Sequence, residues 1–224
     1  MRSETRRQFS GSAVGLVLLV VSVLMSGCAT TAQTPPEAAV RAEVGLPSPG
    51  TKWVSRITDH TGVSVTRTST VLEDGSYAGR SVSRLSDGTD VILLDKGTWN
   101  WIATLRAGKE RFSASPHDAT FSSPLWVGKS WQASYAYADH ERGLSWPSVQ
   151  TTWKVDAYEE VTTPAGSFRA FRLQSEPGVN NALVTTIWYA PGPRLVVKQV
   201  VERTTGHYLG LGKSTTEVIE HPAK

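Results

Sequence analysis

The sequence predicts an all-β protein: a single strongly curved antiparallel meander, folded as a barrel, half-barrel or sandwich, preceded by a signal peptide and a disordered linker. Three observations carry this expectation. From Thr51 onward apolar side chains recur with a period of two, the spacing that puts alternate residues of a strand on one buried face. Turn-forming clusters separate these runs, several of them about 10–12 residues apart. No apolar stripe of helical period and helical length follows the N-terminal leader.

The leader, residues 1–27, has the three parts of an export signal. Arg2, Arg6 and Arg7 form a positive start, Ala13 to Met25 an apolar core of 13 residues, and Ser26-Gly27 the small residues before a cut. The core is shorter than the roughly 18–20 residues that span a bilayer as a helix, so it reads as a removed signal. Leu24-Met25-Ser26-Gly27-Cys28 resembles a bacterial lipobox and holds the chain's only cysteine. Met25 stands where that pattern usually has Leu, with Leu24 one place further out. The resemblance implies lipidation of Cys28, and so attachment to the membrane, because more than one acyl chain anchors stably where one is marginal. A non-lipidated secretory signal and an uncleaved interfacial segment are the alternatives. Thr5-Arg6-Arg7-Gln8-Phe9 is similar to a twin-arginine signal, while general secretion needs only the positive charge, so both routes stay open. Ala29 follows the cysteine. The resemblance then implies the periplasmic side of the outer membrane, if the host has two membranes.

Residues 28–50 are expected to form the lipidated cysteine and a flexible tether. They are rich in Ala, Thr and Pro, with Pro35-Pro36 and Pro47-Ser48-Pro49 breaking regular structure. Glu37 to Val44 could make two helical turns, but so short a helix is marginal alone.

Residues 51–224 form one β domain. Trp53, Ser55 and Ile57 share a face; Trp99, Trp101, Ala103 and Leu105 form another such set, and Val149, Thr151, Trp153 and Val155 a third. The predicted turns are His60-Thr61-Gly62, Glu73-Asp74-Gly75, Ser86-Asp87-Gly88, Asp95-Lys96-Gly97, Ala107-Gly108-Lys109, Pro164-Ala165-Gly166 and Pro191-Gly192-Pro193. About twelve strands result, and so many cannot stay flat. Val184 to Tyr189 and Leu195 to Val201 are apolar on both faces, which places them centrally or under a covering segment. All eight Trp lie in this domain, where they fill the core or line an apolar pocket.

Charge excludes one class of partner. The chain has 23 Lys+Arg against 20 Asp+Glu, and residues 1–27 hold three of the former and one of the latter, leaving 20 against 19 and a net charge of about +1. Basic residues are interspersed with acids rather than clustered, contrary to what phosphate binding needs, so no nucleic acid is expected. With Cys28 carrying lipid, no thiol remains for a disulfide.

The phrases Val127-Gly128-Lys129-Ser130-Trp131, Val161-Thr162-Thr163-Pro164-Ala165-Gly166-Ser167-Phe168 and Trp188-Tyr189-Ala190-Pro191-Gly192 resemble those of uncharacterised bacterial envelope proteins built on a curved antiparallel sheet. The likeness covers about 80 residues and implies the fold. Those families carry no assigned catalytic residues, so function stays open.

Several motifs fail on spacing. Gly210-Leu211-Gly212-Lys213-Ser214-Thr215 ends like a phosphate loop, but the position that needs the first Gly is His207. His140-Glu141 lacks the second His of a zinc helix, since residue 144 is Leu144, and the five His show no ligand spacing. Gly143-Leu144-Ser145-Trp146-Pro147 lacks the last Gly of a nucleophile elbow. No cofactor or metal is expected.

One region is a candidate ligand site. Trp131, Ala133, Tyr135 and Tyr137 share a face of one strand, and Asp139-His140-Glu141-Arg142 leads on to Trp146-Pro147. Tyr135, Tyr137 and Trp146 would wall an apolar pocket, with Asp139, His140 and Arg142 as its polar rim; an exposed charged hairpin loop is the alternative. Two function classes follow: a non-enzymatic envelope lipoprotein binding a lipidic or apolar ligand or a partner protein, and a hydrolase of an envelope or extracellular substrate. A continuous apolar cavity points to the first, a Ser, His and acid in hydrogen-bond reach to the second.

Overall fold

The structure, a computed structural model, describes residues 33–221. Arg6, Arg7, Cys28 and the rest of the export signal lie outside the described residues. The regular elements are twelve strands: β1 (Lys52–Thr58), β2 (Ser64–Tyr77), β3 (Arg80–Ser86), β4 (Val91–Asp95), β5 (Trp101–Arg106), β6 (Lys109–Ser115), β7 (Ser130–Asp139), β8 (Leu144–Thr163), β9 (Gly166–Glu176), β10 (Leu183–Ala190), β11 (Leu195–Arg203) and β12 (Gly212–Glu220). Each pairs antiparallel with its sequence neighbours, and β1 pairs with both β2 and β12, so the curved sheet closes into a ring. Twist accumulating over so many strands makes closure the way to satisfy both edges. The all-β antiparallel class read from the sequence holds.

Strand direction alternates around the ring, which gives it two ends. The chain arrives at the lower end, before Lys52, and the β2–β3, β4–β5, β6–β7, β8–β9 and β10–β11 connections lie there too. The β1–β2, β3–β4, β5–β6, β7–β8, β9–β10 and β11–β12 connections lie at the upper end.

Six of the seven predicted turns fall between strands. Glu73-Asp74-Gly75 does not: it lies inside β2, at a bulge where pairing with β3 slips between Leu72 and Gly75. The turn comes instead at Ala78 and Gly79, with φ of 48° and 77°. Asp74 is held in the sheet by hydrogen bonds from Ser83 (2.8 Å) and Lys96 (2.5 Å), contacts that local turn propensity does not see.

A second difference concerns Trp99, Trp101, Ala103 and Leu105. Trp99 is in a left-handed turn (φ 62°) before β5 begins. Trp101 pairs with Leu94 and Ala103 with Leu93, across a bulge. Leu93 and Leu94 are consecutive and face opposite ways, so the bulge splits the set between the two faces.

A third difference lies in the second half of the expected linker. Residues 42–50 are extended and docked. Ala42 and Leu125 exchange backbone hydrogen bonds of 3.1 and 2.8 Å, and the Gly50 amide donates to the Val71 carbonyl at 2.8 Å. Val44 is buried in the main cluster, and Leu46 packs on a second. Apolar side chains at 44 and 46 and a free backbone edge at Leu125 make an extended segment more favourable than an isolated helix.

Val149, Thr151, Trp153 and Val155 are all buried, as their alternation predicts. Trp153 and Val155 pack with Phe171, Leu173 and Ile187 in the main cluster. At the lower end Trp53, Val71, Leu195, Val197 and Val218 form a second cluster, joined by Val161 and Phe168 from the far half of the β8–β9 hairpin. Val82, Leu93, Ile102 and Ala103 make a third cluster on β3, β4 and β5. Each large apolar side chain so buried contributes roughly 1.5–3 kcal/mol.

Candidate functional site

β7 carries Tyr135 and Tyr137 into the upper opening. Tyr135 pairs with Val149 and Tyr137 with Trp146, so β8 spends an extra residue between the two pairs. Pro147 lies in that bulge, where a strand tolerates a residue without an N–H. The loops of residues 177–182 and 204–211 complete the wall, and the whole encloses a cavity of about 470 Å³ lined by Tyr135, Tyr137, Trp146, Asn181, Leu183 and Tyr208 among others.

Four rings lead inward. Centroid separations are 5.5 Å for Tyr208–Trp146, 5.5 Å for Trp146–Tyr137 and 6.2 Å for Tyr137–Trp101, all tilted, the range of favourable aromatic pairs. Tyr135, Tyr137, Asn181 and Leu183 also line a second cavity of about 220 Å³ inside the ring. This shares Trp101, Asp118, Thr120, Ile187 and Gln199 with a third, of about 240 Å³, that reaches the docked Val44 and Leu46. Lining residues are thus shared all the way from the mouth to the arriving chain. Tryptophan serves both roles read from the sequence: Trp126 is buried, Trp101 and Trp146 line cavities, and the buried Trp53 and Trp153 each also border one.

Gly178 positions the loop on the far wall. A β-carbon there would fall inside contact distance of the Gln150 carbonyl oxygen, so only glycine lets this loop lie on β8. The Gln150 amide donates to the Val179 carbonyl (2.9 Å), and Asn180 Nδ2 to the Ser148 carbonyl (2.7 Å).

Burial pushes the Tyr135 phenol up to about 12, with the Asp118 charge adding to it. Burial raises Tyr137 as well. Both remain neutral hydroxyls at physiological pH, suited to walls and hydrogen bonds rather than to proton abstraction.

The structure brings Tyr135, Tyr137 and Trp146 together at the cavity. Asp139 is buried beneath the rim, where burial pulls its carboxyl up but the Arg142 hydrogen bonds outweigh this and hold it low. It accepts from Arg142 Nη1 at 2.8 Å and from the Tyr208 hydroxyl at 3.3 Å, so it braces a wall residue. Arg142 and His140 are not among the residues lining the cavity. His140 Nε2 lies 2.8 Å from Ser113 Oγ and 3.2 Å from Glu110 Oε2. A Ser, a His and an acid therefore meet, but both partners use the same ring nitrogen. A hydrolytic triad needs one nitrogen facing the serine and the other held by the acid, so this group lacks that arrangement.

Residues missed from the sequence complete the site: Tyr208, Gly178 and, deep inside, Asp118. Tyr208 stands between Gly206 and Gly210, a large aromatic in a turn-rich loop and 47% exposed. That oddity was the available signal. Val63, Val65, Leu144, Val179, Leu209 and Leu211 are exposed too, all near the upper end, and they give the mouth an apolar surround.

The resembling phrases are structural. Lys129 Nζ donates to the Ser122 and Pro124 carbonyls (2.5 and 2.9 Å) and lies 4.4 Å from the Trp126 ring centroid, clamping the β6–β7 loop. Lys213, in the segment like a phosphate loop, pairs with Glu202 at 2.8 Å. Among the described residues no His, Cys, Asp and Glu cluster suits a metal, and no helix is long and apolar enough to cross a membrane.

Fold and site together define a closed antiparallel ring with an aromatic-lined opening at one end. No family profile and no curated protein matches the sequence. Two solved structures are similar: a candidate lipoprotein from Parabacteroides distasonis (14% identity, 81% of this chain, 99% of that one, TM-score 0.37) and a candidate exported protein with a YmcC-like fold from Bacteroides fragilis (10% identity, 81% and 100%, TM-score 0.42).

Proposed function

We propose that this chain is a lipid-anchored protein of the cell envelope whose β domain binds a small apolar or lipidic molecule and performs no chemistry on it. The observation that carries this reading is the aromatic mouth continued by shared walls into the ring. Its volume of about 470 Å³ falls within the range of roughly 300–1,000 Å³ typical of small-molecule sites, which pair apolar walls with a few polar groups. Cys28 supplies the anchor. Among the described residues the chain joins the ring at the lower end, opposite the mouth. In a host with two membranes the place expected is the periplasmic side of the outer one. The exposed apolar residues around the mouth favour a second reading, in which an envelope protein docks there.

The test uses the chain from Gln33 onward, extracted with organic solvent for mass spectrometry and titrated with an apolar dye while Trp fluorescence is followed. A retained amphiphile and saturable quenching are expected. No retained compound together with a linear, unsaturable signal overturns ligand binding.

A further inference from the structure

Asp90 and Asp139 are buried and Asp118 is half-buried, and the three are held differently. Asp90 takes hydrogen bonds from Arg106 (2.7 Å) and Arg111 (2.5 Å), and Asp139 pairs with Arg142 at 2.8 Å. Asp118 has no Lys or Arg partner in any ion pair among the described residues. Its Oδ1 accepts from the Trp101 and Thr120 amides (3.0 and 3.3 Å) and its Oδ2 from Thr120 Oγ1 at 2.6 Å. Yet it lines both inner cavities, and it is the only charged residue lining the central one. A carboxylate taken out of water without a countercharge is costly, and the chain supplies one at the other two sites.

The surroundings suit a guest that brings the missing charge. Trp101, Tyr135, Tyr137 and Trp153 line the same central cavity, and aromatic faces attract cations, most strongly where water is excluded.

We infer that the cavity is selective for an amphiphile with an ammonium head, which pairs with Asp118 among the aromatic walls while its apolar body lies along the rings toward the mouth. This rests on the ligand-binding reading above and names the ligand class for the same site. Burial pushes the free Asp118 carboxyl up, and a cation beside it reverses that cost.

The experiment compares octylammonium, octan-1-ol and octanoate, one apolar body with three heads, by Trp fluorescence titration of the wild-type chain from Gln33 and of Asp118→Asn, which keeps the acceptor for the two amides. Octylammonium is expected to bind at least tenfold tighter than octanol, with octanoate weakest, and D118N to bring octylammonium to the octanol level while leaving octanol unchanged. The ranking in the wild type stands independently of whether the variant folds. Octanol binding as tightly as octylammonium, or octylammonium unaffected by D118N in a folded variant, overturns the inference and leaves apolar ligand binding intact. If none of the three binds, the ligand-binding reading falls and the inference with it.

Discussion

The Tyr189 hydroxyl accepts a hydrogen bond from the Gly45 amide at 2.9 Å and lies 3.2 Å from the Gly45 carbonyl, to which it can donate. One phenol on β10 thus meets both backbone groups of a residue in the arriving chain, and Tyr189 is buried against Val44 in the main cluster. Residues 42–50 are part of the fold for that reason.

Tyr189→Phe keeps the packing and strands a buried amide, at a cost of roughly 1–3 kcal/mol. Urea denaturation of the variant should show that loss, and the Gly45 amide should exchange faster. A chain beginning at Thr51 should still give a β-dominated circular dichroism spectrum but should unfold at lower urea than one beginning at Gln33. Equal midpoints would show that the docked segment contributes nothing.

Tyr208 is a wall residue with much of its surface exposed, so Tyr208→Ala should weaken apolar dye binding while changing stability by less than about 1 kcal/mol. The measurement is a paired titration and thermal melt. A variant that melts much earlier yet binds as before would make Tyr208 a packing residue.

Gly178→Ala should force the 177–182 loop off β8. Overpacking of this kind costs roughly 1–3 kcal/mol. Hydrogen exchange should speed at the Gln150 amide, which donates to Val179, while amides of β2 and β3 on the far side of the ring stay protected.

Two aspartates should give opposite pH dependences. Burial pulls Asp90 up, but the Arg106 and Arg111 hydrogen bonds outweigh it and hold the carboxyl below its ordinary value of 3.8. Its stabilisation is therefore present above that value and lost as pH falls through the lower folded value. Burial raises Asp118, against hydrogen bonds from Thr120 and Trp101 and the charge of His117. The folded state then holds a proton that the unfolded chain releases, so stability falls as pH rises from 3.8 toward the raised value. Denaturation midpoints against pH should lose the acid-side slope in Asp90→Asn and the slope above pH 4 in Asp118→Asn, where the Tyr135 phenol stays neutral. Parallel curves for wild type and both variants would contradict these assignments.

Cys28→Ala should release the protein from the membrane fraction and abolish incorporation of labelled palmitate, because the apolar leader is too short to span a bilayer. Unchanged fractionation would refute lipid anchoring.

What the sequence determined by itself was local. The period-two runs and the Gly-bearing turns established the all-β class, about twelve strands and six hairpin connections, because alternation and positive φ are properties of a few consecutive residues. It also marked Tyr135, Tyr137 and Trp146, which one hairpin brings together. Tertiary structure decided whatever needed a distant partner. Asp74-Gly75 reads as a turn until Ser83 and Lys96 hold Asp74 in the sheet, and residues 42–50 read as a tether until Leu125 and Tyr189 bind them. Asp118 looks like any loop aspartate. It gains its meaning only because its loop folds back beside Trp101, at a cavity where no Lys or Arg pairs with it.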